Sequence, residues 1–138
     1  MKKLGIVFIM LMSMSAFAQL KPGSKVFLEF AEIEGEVNVE GEDALSMLLP
    51  YVKDKTKLKV VATKEEAEFV FVLSAYELNV GNRKGKIVIL DAKTNEMVFN
   101  TGLEKASSSA YYGYSGTRAL VGELIKKNIL KEYPKIKK

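Results

Sequence analysis

Residues 107–120, SSSAYYGYSGTRAL, combine the side chains in this sequence that are best suited to catalysis or recognition. The segment Gly113-Tyr114-Ser115-Gly116 is one residue short of the G-x-S-x-G turn that presents a nucleophilic serine. Such a serine needs a base, and the chain contains no histidine. A Ser-Lys pair of the S-x-x-K type is also absent, because no serine has a lysine three residues later. The sequence therefore argues against a serine hydrolase.

The same stretch precedes a helical pattern, which allows two further interpretations. Gly113 and Gly116, followed by Thr117, would let free backbone N–H groups bind an anion at the start of the helix. Alternatively, Ser115 or Thr117 caps the helix and the glycines only shape the entry of the chain. No lysine of a phosphate-binding loop follows Gly116, and Arg118 is the nearest cation. We therefore expect a helix cap.

Three tyrosines of the loop 107–117, here called the tyrosine loop, are candidate binding residues. Tyr111, Tyr112 and Tyr114 lie among serines and glycines, a composition typical of recognition loops. A tyrosine offers a flat apolar face to a sugar ring or a partner side chain, together with a hydroxyl. In the alternative interpretation, Tyr111 or Tyr112 continues the preceding strand and covers the open face of the sheet. The predicted binding residues are Tyr111, Tyr112, Tyr114 and Arg118.

Acidic side chains offer the other candidate chemistry. Alternation from Ile33 onward predicts that Glu32, Glu34 and Glu36 share one strand face, with about 7 Å between successive side chains. Calcium prefers carboxylates, but a strand face without a loop around the ion is a poor cage. Zinc sites built on cysteine or histidine are excluded because the chain has neither residue. We predict no metal site and no cofactor. A carboxylate pair that acts on a glycan stays open as an enzymatic alternative.

The amino terminus has the pattern of a secretory signal peptide over residues 1–18. Residues 1–3 contain two lysines, residues 4–14 are mostly apolar, and residues 16–18 supply an A-x-A cleavage pattern before Gln19. The apolar run of about 15 residues is shorter than the roughly 20 of a membrane span. No cysteine follows it to carry a lipid anchor. We expect cleavage near Ala18-Gln19 and a periplasmic or secreted protein without a transmembrane segment.

The remaining composition indicates a single exported domain over residues 19–138. These 120 residues suffice for one core, and they carry 19 basic and 17 acidic residues. This near balance gives no support for nucleic-acid binding. Residues 29–43 hold seven acids and no base, whereas residues 126–138 hold six lysines against Glu132. We interpret these segments as a solvated sheet edge and a solvated helix end with a short basic tail. Without cysteine, the core alone must stabilise the fold.

Hydrophobic periodicity predicts the order of helices and strands. Apolar and β-branched runs indicate strands at 25–33, 57–63, 69–80, 86–92 and 97–109. A first helix begins at a cap on Asp43 and kinks or ends at Pro50, and a second runs from Thr117 to Tyr133. The order β-α-β-β-β-β-α predicts an α+β fold, a single layer of mostly antiparallel sheet with two helices packed on one face.

Two segments in this order resemble small envelope modules of bacteria. Ala67-Glu68-Phe69 opens the most apolar strand where those modules have Ala-Asp. Leu90-Asp91-Ala92-Lys93-Thr94-Asn95-Glu96 stands where they have Asp, then Lys-Thr-Gly and a returning strand. The sequence is similar in this way to the amino-terminal domain of TolB, the curli secretion-channel lipoprotein and the lipoprotein activators of penicillin-binding proteins. Asn replaces Gly in the turn, and both residues tolerate positive φ. The resemblance implies a non-catalytic envelope module that meets another macromolecule.

Together these patterns predict an exported, non-enzymatic envelope module that binds an envelope protein or a cell-wall glycan, with the tyrosine loop as the candidate site. Two alternatives stay open. One is a small carboxylate-dependent enzyme that acts on a glycan. The other is a structural protein that assembles with copies of itself through an exposed sheet edge.

Overall fold

The computed structural model describes residues 19–138, so the predicted signal peptide over 1–18 lies outside the described residues. Six strands and two main helices follow one another along this part of the chain. The elements are β1 (Lys25–Phe30), α1 (Gly41–Lys55), β2 (Lys59–Val60), β3 (Phe69–Asn79), β4 (Asn82–Asp91), β5 (Met97–Asn100), β6 (Glu104–Ser107) and a final helix α2. Helix α2 consists of an α segment Gly116–Glu123, a π segment Leu124–Ile129 and a last α turn Leu130–Glu132.

The strands form one sheet in the order β2-β1-β3-β4-β5, and β6 also pairs with β4. Strand β1 is parallel to β2 and β3, whereas β4 is antiparallel to β3, β5 and β6. Both helices contribute to the core on one side of this sheet. The predicted α+β fold, with a mostly antiparallel sheet and two helices on one face, is therefore confirmed.

The central strands β3 and β4 separate a covered sheet face from an open one. Side chains alternate between the faces of a strand, and on β3 the residues Phe71 and Leu73 join the core beneath the helices. Val70 and Val72 alternate with these residues and point to the opposite face, where Val70 pairs with Leu90 and Val72 with Val88. Val70 is buried, and its three neighbours are half-buried. The centre of the open face is thus apolar.

Helix α1 differs from its prediction at both its cap and its proline. Glu40, rather than Asp43, is the N-cap, and its carboxylate accepts hydrogen bonds from the backbone N–H groups of Glu42 and Asp43 at 3.3 and 2.8 Å. The helix also continues through Pro50 to Lys55 instead of ending there. Leu48 and Val52, on either side of the proline, are fully buried. We attribute the continuation to this burial, which offsets the lost backbone hydrogen bond.

The prediction of a glutamate-bearing strand over residues 32–36 is wrong. Strand β1 ends at Phe30, and the chain then forms a turn in which Gly35 has φ +84°. The Asn38 side chain holds this turn, because its Oδ1 accepts from the Ile33 N–H at 2.8 Å and its Nδ2 donates to the Ile33 and Glu36 carbonyls. Local side-chain hydrogen bonds of this kind compete with strand formation. The three glutamates consequently share no strand face.

The strand predicted over 97–109 is divided into β5 and β6. Both halves pair with β4, and residues 101–103 separate them. Thr101 accepts a hydrogen bond from the Ile87 N–H on its hydroxyl at 3.0 Å, and Gly102 has φ +77°. The polypeptide therefore keeps its antiparallel course along β4 across a local irregularity.

The two segments that carry the family resemblance lie together in the fold. The Ala92 N–H donates to the Glu68 carbonyl at 3.0 Å, which joins the start of β3 to the end of β4. The Asp91 carboxylate accepts from the backbone N–H groups of residues 93–94 at 2.8 and 3.0 Å. Asn95 closes the turn at φ +65°, as predicted. These residues thus shape a turn and a strand junction.

Candidate functional site

The tyrosine loop has a defined backbone between β6 and α2. Ala110–Tyr112 forms one 3-10 turn, followed by two residues in the left-handed region, Gly113 at φ +65° and Tyr114 at φ +60°. The Ser109 carbonyl accepts hydrogen bonds from the N–H groups of Tyr112 at 3.1 Å and Tyr114 at 2.7 Å. These bonds tie both ends of the turn to one carbonyl.

Ser115 is the cap that ends the loop and begins α2. Its hydroxyl accepts from the Arg118 N–H at 3.1 Å, so the predicted helix cap is confirmed at this residue. The same hydroxyl lies 3.7 Å from the sulfur of Met47 on α1, which connects the loop to the other helix. Ser115 thus stabilises the helix start.

Tyr114 in the loop and Arg118 in the first turn of α2 are both exposed. Tyr114 is 76% exposed, and its positive φ is uncommon for a residue with a side chain. Arg118 is exposed, and its guanidinium lies over Gly113, where an added Cβ would be 3.0 Å from Nη1. Tyr114 is therefore an exposed residue in a strained backbone conformation.

Tyr112 lies beneath this surface. It is buried, and its hydroxyl donates to the Glu123 carboxylate on α2 at 3.1 Å. Burial, together with that hydrogen bond and the charge of Glu123, raises the pKa of Tyr112 to about 12. Lys127 pairs with Glu123 at 2.8 Å, and this hydrogen bond is the main reason that the pKa of the Glu123 carboxyl is lowered. Tyr112 consequently supports the loop from beneath, and its role as a binding residue stays a prediction.

Tyr111 is the second exposed tyrosine, with 77% of its surface accessible. Its ring meets the Tyr112 ring edge-on, with the centroids 4.8 Å apart. The Lys126 ammonium donates to the Tyr111 hydroxyl at 3.1 Å and lies 4.8 Å from the ring centroid. That hydrogen bond and charge lower the pKa of the Tyr111 phenol. Tyr111 is therefore held in place beside a positive charge.

The sequence patterns do not predict that Lys126, which holds Tyr111, belongs to this site. The Lys126 ammonium also lies 5.4 Å from the Tyr112 ring centroid and 5.6 Å from that of Tyr51 on α1. Gly122 lets the rings of Tyr112 and Tyr51 lie close to α2, because a Cβ at this position would be 2.7 Å from Tyr112 Cε1 and 3.2 Å from Tyr51 Cζ. The spacing of Arg118, Gly122 and Lys126, four residues apart, is the sequence signal that places them on one helix face.

The turn between β3 and β4 adjoins the loop. The Ser108 N–H donates to the Gly81 carbonyl at 2.8 Å, and the same carbonyl is so near Gly116 that a Cβ there would lie 2.8 Å from it. Val80, the residue before Gly81, is fully exposed. The apolar side chain of Val80 is thus exposed next to the tyrosine loop. We call the four exposed residues Val80, Tyr111, Tyr114 and Arg118 the docking face.

The side chains of this face can form apolar contacts, hydrogen bonds and charge interactions. Its exposed groups are two phenols, one guanidinium and one aliphatic side chain, with a lysine behind them. Throughout residues 19–138, no group of three acidic side chains is arranged to hold a metal ion. No helix in the same described range is long and apolar enough to cross a membrane.

The opposite pKa shifts of the two neighbouring tyrosines predict separate ionisations. In an ultraviolet titration of tyrosinate, Tyr111→Phe is expected to remove an early component and Tyr112→Phe a late one near pH 12. Because the folded pKa of Tyr112 is raised above the ordinary value of about 10, its contribution to stability is complete below pH 10 and is lost as the pH rises through 12. Burial also raises the pKa of Tyr133, so part of the late component will remain in Tyr112→Phe. A late component of undiminished amplitude in this variant would contradict the buried placement of Tyr112.

Comparison with known proteins identifies the fold. No protein-family model and no curated protein matches the sequence. Among solved structures, the LpoB C-terminal domain from Salmonella enterica has 14% identity and a TM-score of 0.50, over 70% of this chain and 91% of that one. The PelC L103M dodecamer from Paraburkholderia phytofirmans has 18% identity and a TM-score of 0.51, over 81% of this chain and 89% of that one. TolB from Acinetobacter baumannii has 9% identity and a TM-score of 0.48, and the match spans 79% of this chain but 29% of TolB.

The matches to the LpoB domain and to PelC test the resemblance that was predicted from the sequence. The LpoB domain and PelC match most of their own length, so the likeness covers the whole fold and not a fragment of it. The resemblance inferred from residues 67–69 and 90–96 is thereby confirmed at the level of the fold. At these identities the likeness concerns architecture, and function has to be argued from the site.

Proposed function

We propose that this protein is an exported, non-enzymatic envelope module that docks a partner protein through the docking face. The observation that carries the proposal is the pair of tyrosines, 77% and 76% exposed, on a loop whose backbone is fixed by hydrogen bonds. Tyrosine is enriched at protein interfaces because its ring is apolar and its hydroxyl forms hydrogen bonds. Arg118 adds a second of the residue types that dominate binding energy at protein interfaces.

The loop is arranged so that binding requires little further ordering. Tyr112 is anchored by Glu123, Ser115 caps α2, and Lys126 holds Tyr111. A side chain that is already held loses less conformational entropy when a partner covers it. A tyrosine has few rotatable bonds, which lowers this cost further. The fixed loop therefore supports docking of a partner over a purely structural connection.

The envelope location and the absence of catalysis rest on separate arguments. Residues 1–18 have the signal-peptide pattern, which predicts export. The fold is shared with the LpoB C-terminal domain and with PelC, which is a dodecamer, so the PelC protein uses this architecture in an assembly. The chain has no histidine or cysteine, and the exposed groups of the docking face include no carboxylate. These facts favour a binding module over a hydrolase.

Crosslinking and co-purification from the native envelope test this proposal. The double variant Tyr111→Ser/Tyr114→Ser is expected to recover at least about tenfold less partner, because truncating a tyrosine that is a binding hot spot costs about 2 kcal/mol or more. Tyr112 is left intact so that the loop keeps its anchor. Met97→Ser, which removes another exposed apolar side chain on the sheet edge at β5, is the matched control and should recover the partner normally.

Three outcomes would contradict the proposal. Equal recovery by the double variant and the control would place the interface elsewhere. Crosslinked products that contain only copies of this chain would favour self-assembly. Cleavage of peptidoglycan that a single Glu or Asp substitution abolishes would make the protein an enzyme.

A further inference from the structure

A second surface, formed by the carboxyl-terminal segment, has a charge that the docking face does not explain. A cleft of about 730 Å³ lies between the end of α1, the end of α2 and residues 134–138. Five of its nine lining residues are lysines, and one is an acid. The lining consists of Asp54, Lys55, Tyr111, Lys126, Leu130, Lys131, Pro134, Lys137 and Lys138.

The segment that completes this cleft is docked and not free. Ile136, between two lysines, is fully buried in the core. Its carbonyl accepts from the Lys57 N–H at 2.7 Å, and the Lys138 N–H donates to the Lys55 carbonyl at 3.1 Å. Lys137 forms an isolated antiparallel bridge with Thr56. The lysines are thereby brought together by the fold itself.

The cleft concentrates positive charge that the chain does not neutralise. Within residues 19–138 the ion pairs are Lys64–Glu29, Arg83–Glu77 and Lys127–Glu123, and none of them involves a lysine that lines the cleft. Asp54 has the single acidic side chain of the lining. Holding like charges together destabilises a fold unless a counter-charge is bound. The cleft is consequently suited to an anion.

The spacing of the lysines indicates the kind of anion. They come from three separate stretches of the chain and surround a cavity, so one small anion would not reach them all. Lysine is a point charge on a flexible stem, which suits anionic groups spaced along a polymer better than one planar carboxylate. The exposed ring of Tyr111, with Leu130 and Pro134, gives an apolar wall against which a sugar ring packs.

We propose that this lysine cleft binds an anionic glycan, a polymer whose sugars carry carboxylate groups. An acidic peptide offers no rigid ring to the Tyr111 side chain, and a lipid surface would favour a flat basic face over a cleft. The site goes beyond the proposed protein docking, since four of its five lysines (Lys55, Lys131, Lys137 and Lys138) have no part in the tyrosine loop.

Calorimetric titration of the purified protein with polygalacturonate tests the proposal. Saturable binding is expected at about 50 mM salt and marked weakening at about 500 mM, because salt screens the charges. Lys131→Gln/Lys137→Gln is expected to bind about tenfold more weakly, since each lost charge contact contributes a severalfold factor. The control Lys59→Gln/Lys105→Gln removes the same charge from exposed positions outside the cleft and should bind normally.

Each remaining outcome would overturn the glycan site. Equal losses in both double variants would show that only net charge matters. Polyglutamate that binds as tightly as polygalacturonate would favour an acidic peptide, and tighter binding to phosphatidylglycerol vesicles would favour a membrane. No binding to polygalacturonate at low salt would leave the cleft without this ligand class. Tyr114→Ser separates the two proposals, because it should weaken partner capture and leave glycan binding intact.

Discussion

Replacing Gly85 with alanine is expected to lower the free energy of unfolding by about 3 kcal/mol, at the upper end of the usual range for overpacking. Gly85 lies on β4 directly opposite Ala75 of β3. A Cβ at this position would fall closer to the Ser74 carbonyl oxygen than any van der Waals contact allows, and it would also lie 2.9 Å from Leu120 Cδ2 on α2. Backbone atoms of a central strand cannot move aside without breaking the ladder of hydrogen bonds.

Thermal unfolding followed by circular dichroism measures this effect, with an expected fall in melting temperature of about 10 °C for a domain of this size. Gly35→Ala is the matched control, because a Cβ there meets nothing within 4 Å and only its φ of +84° opposes the substitution. That variant should lose about 1 kcal/mol, the usual cost of a left-handed residue with a Cβ. Equal losses in the two variants would refute the close approach at Gly85.

Gly85 also matters for the docking face, because it sets how closely α2 approaches the sheet. Leu120 packs on it from the helix that Ser115 begins and that carries Arg118. A displacement of this helix would move the arginine and the tyrosine loop together. The position of the docking face thus depends on Gly85, a strand residue outside that face.

The sequence predicted those features that depend on neighbouring residues. The order of elements follows from runs of apolar residues, such as the one that became β3. Asn95 in the turn and Ser115 at the helix start are recognisable because each needs only its own local backbone. The resemblance to envelope modules rests on the same local segments.

One local feature is missed by periodicity: Ile33, Val37 and Val39 alternate with glutamates like a strand, but side-chain hydrogen bonds from Asn38 to nearby residues form a turn. Features that depend on distant partners could not be predicted either. Lys126 lies among aromatic rings that include Tyr51, 75 residues earlier in the sequence. The rings can lie this close to α2 only because residue 122 is a glycine. Periodicity carries no information about which surfaces meet across the core.

The carboxyl-terminal segment is the clearest case. Lysines surround Ile136 in the sequence, so the composition indicates a solvated basic tail. In the fold this isoleucine is fully buried. A single apolar residue forms no hydrophobic periodicity, so the sequence does not reveal that Ile136 is buried. Its burial nevertheless decides whether the neighbouring lysines extend into solvent or are held against α1.

Replacing Ile136 with alanine is therefore expected to have two consequences at once. The free energy of unfolding should fall by about 2–5 kcal/mol, because the substitution removes a fully buried side chain and leaves a cavity. The affinity for polygalacturonate should fall with it, since Lys137 and Lys138 would no longer be held against α1. Chemical denaturation measures the first effect, and calorimetry below the melting temperature measures the second.

Two further variants serve as controls for the Ile136→Ala experiment. Ile136→Val keeps most of the buried volume, so it should lose about 0.5–1.5 kcal/mol and bind the glycan normally. Lys135→Ala changes an exposed residue in the same turn and should leave stability within about 0.5 kcal/mol. Stability lost in Ile136→Ala with undiminished glycan binding would show that the lysine cleft does not need the docked segment. Binding lost without a change in stability would show that the segment docks too weakly to stabilise the core.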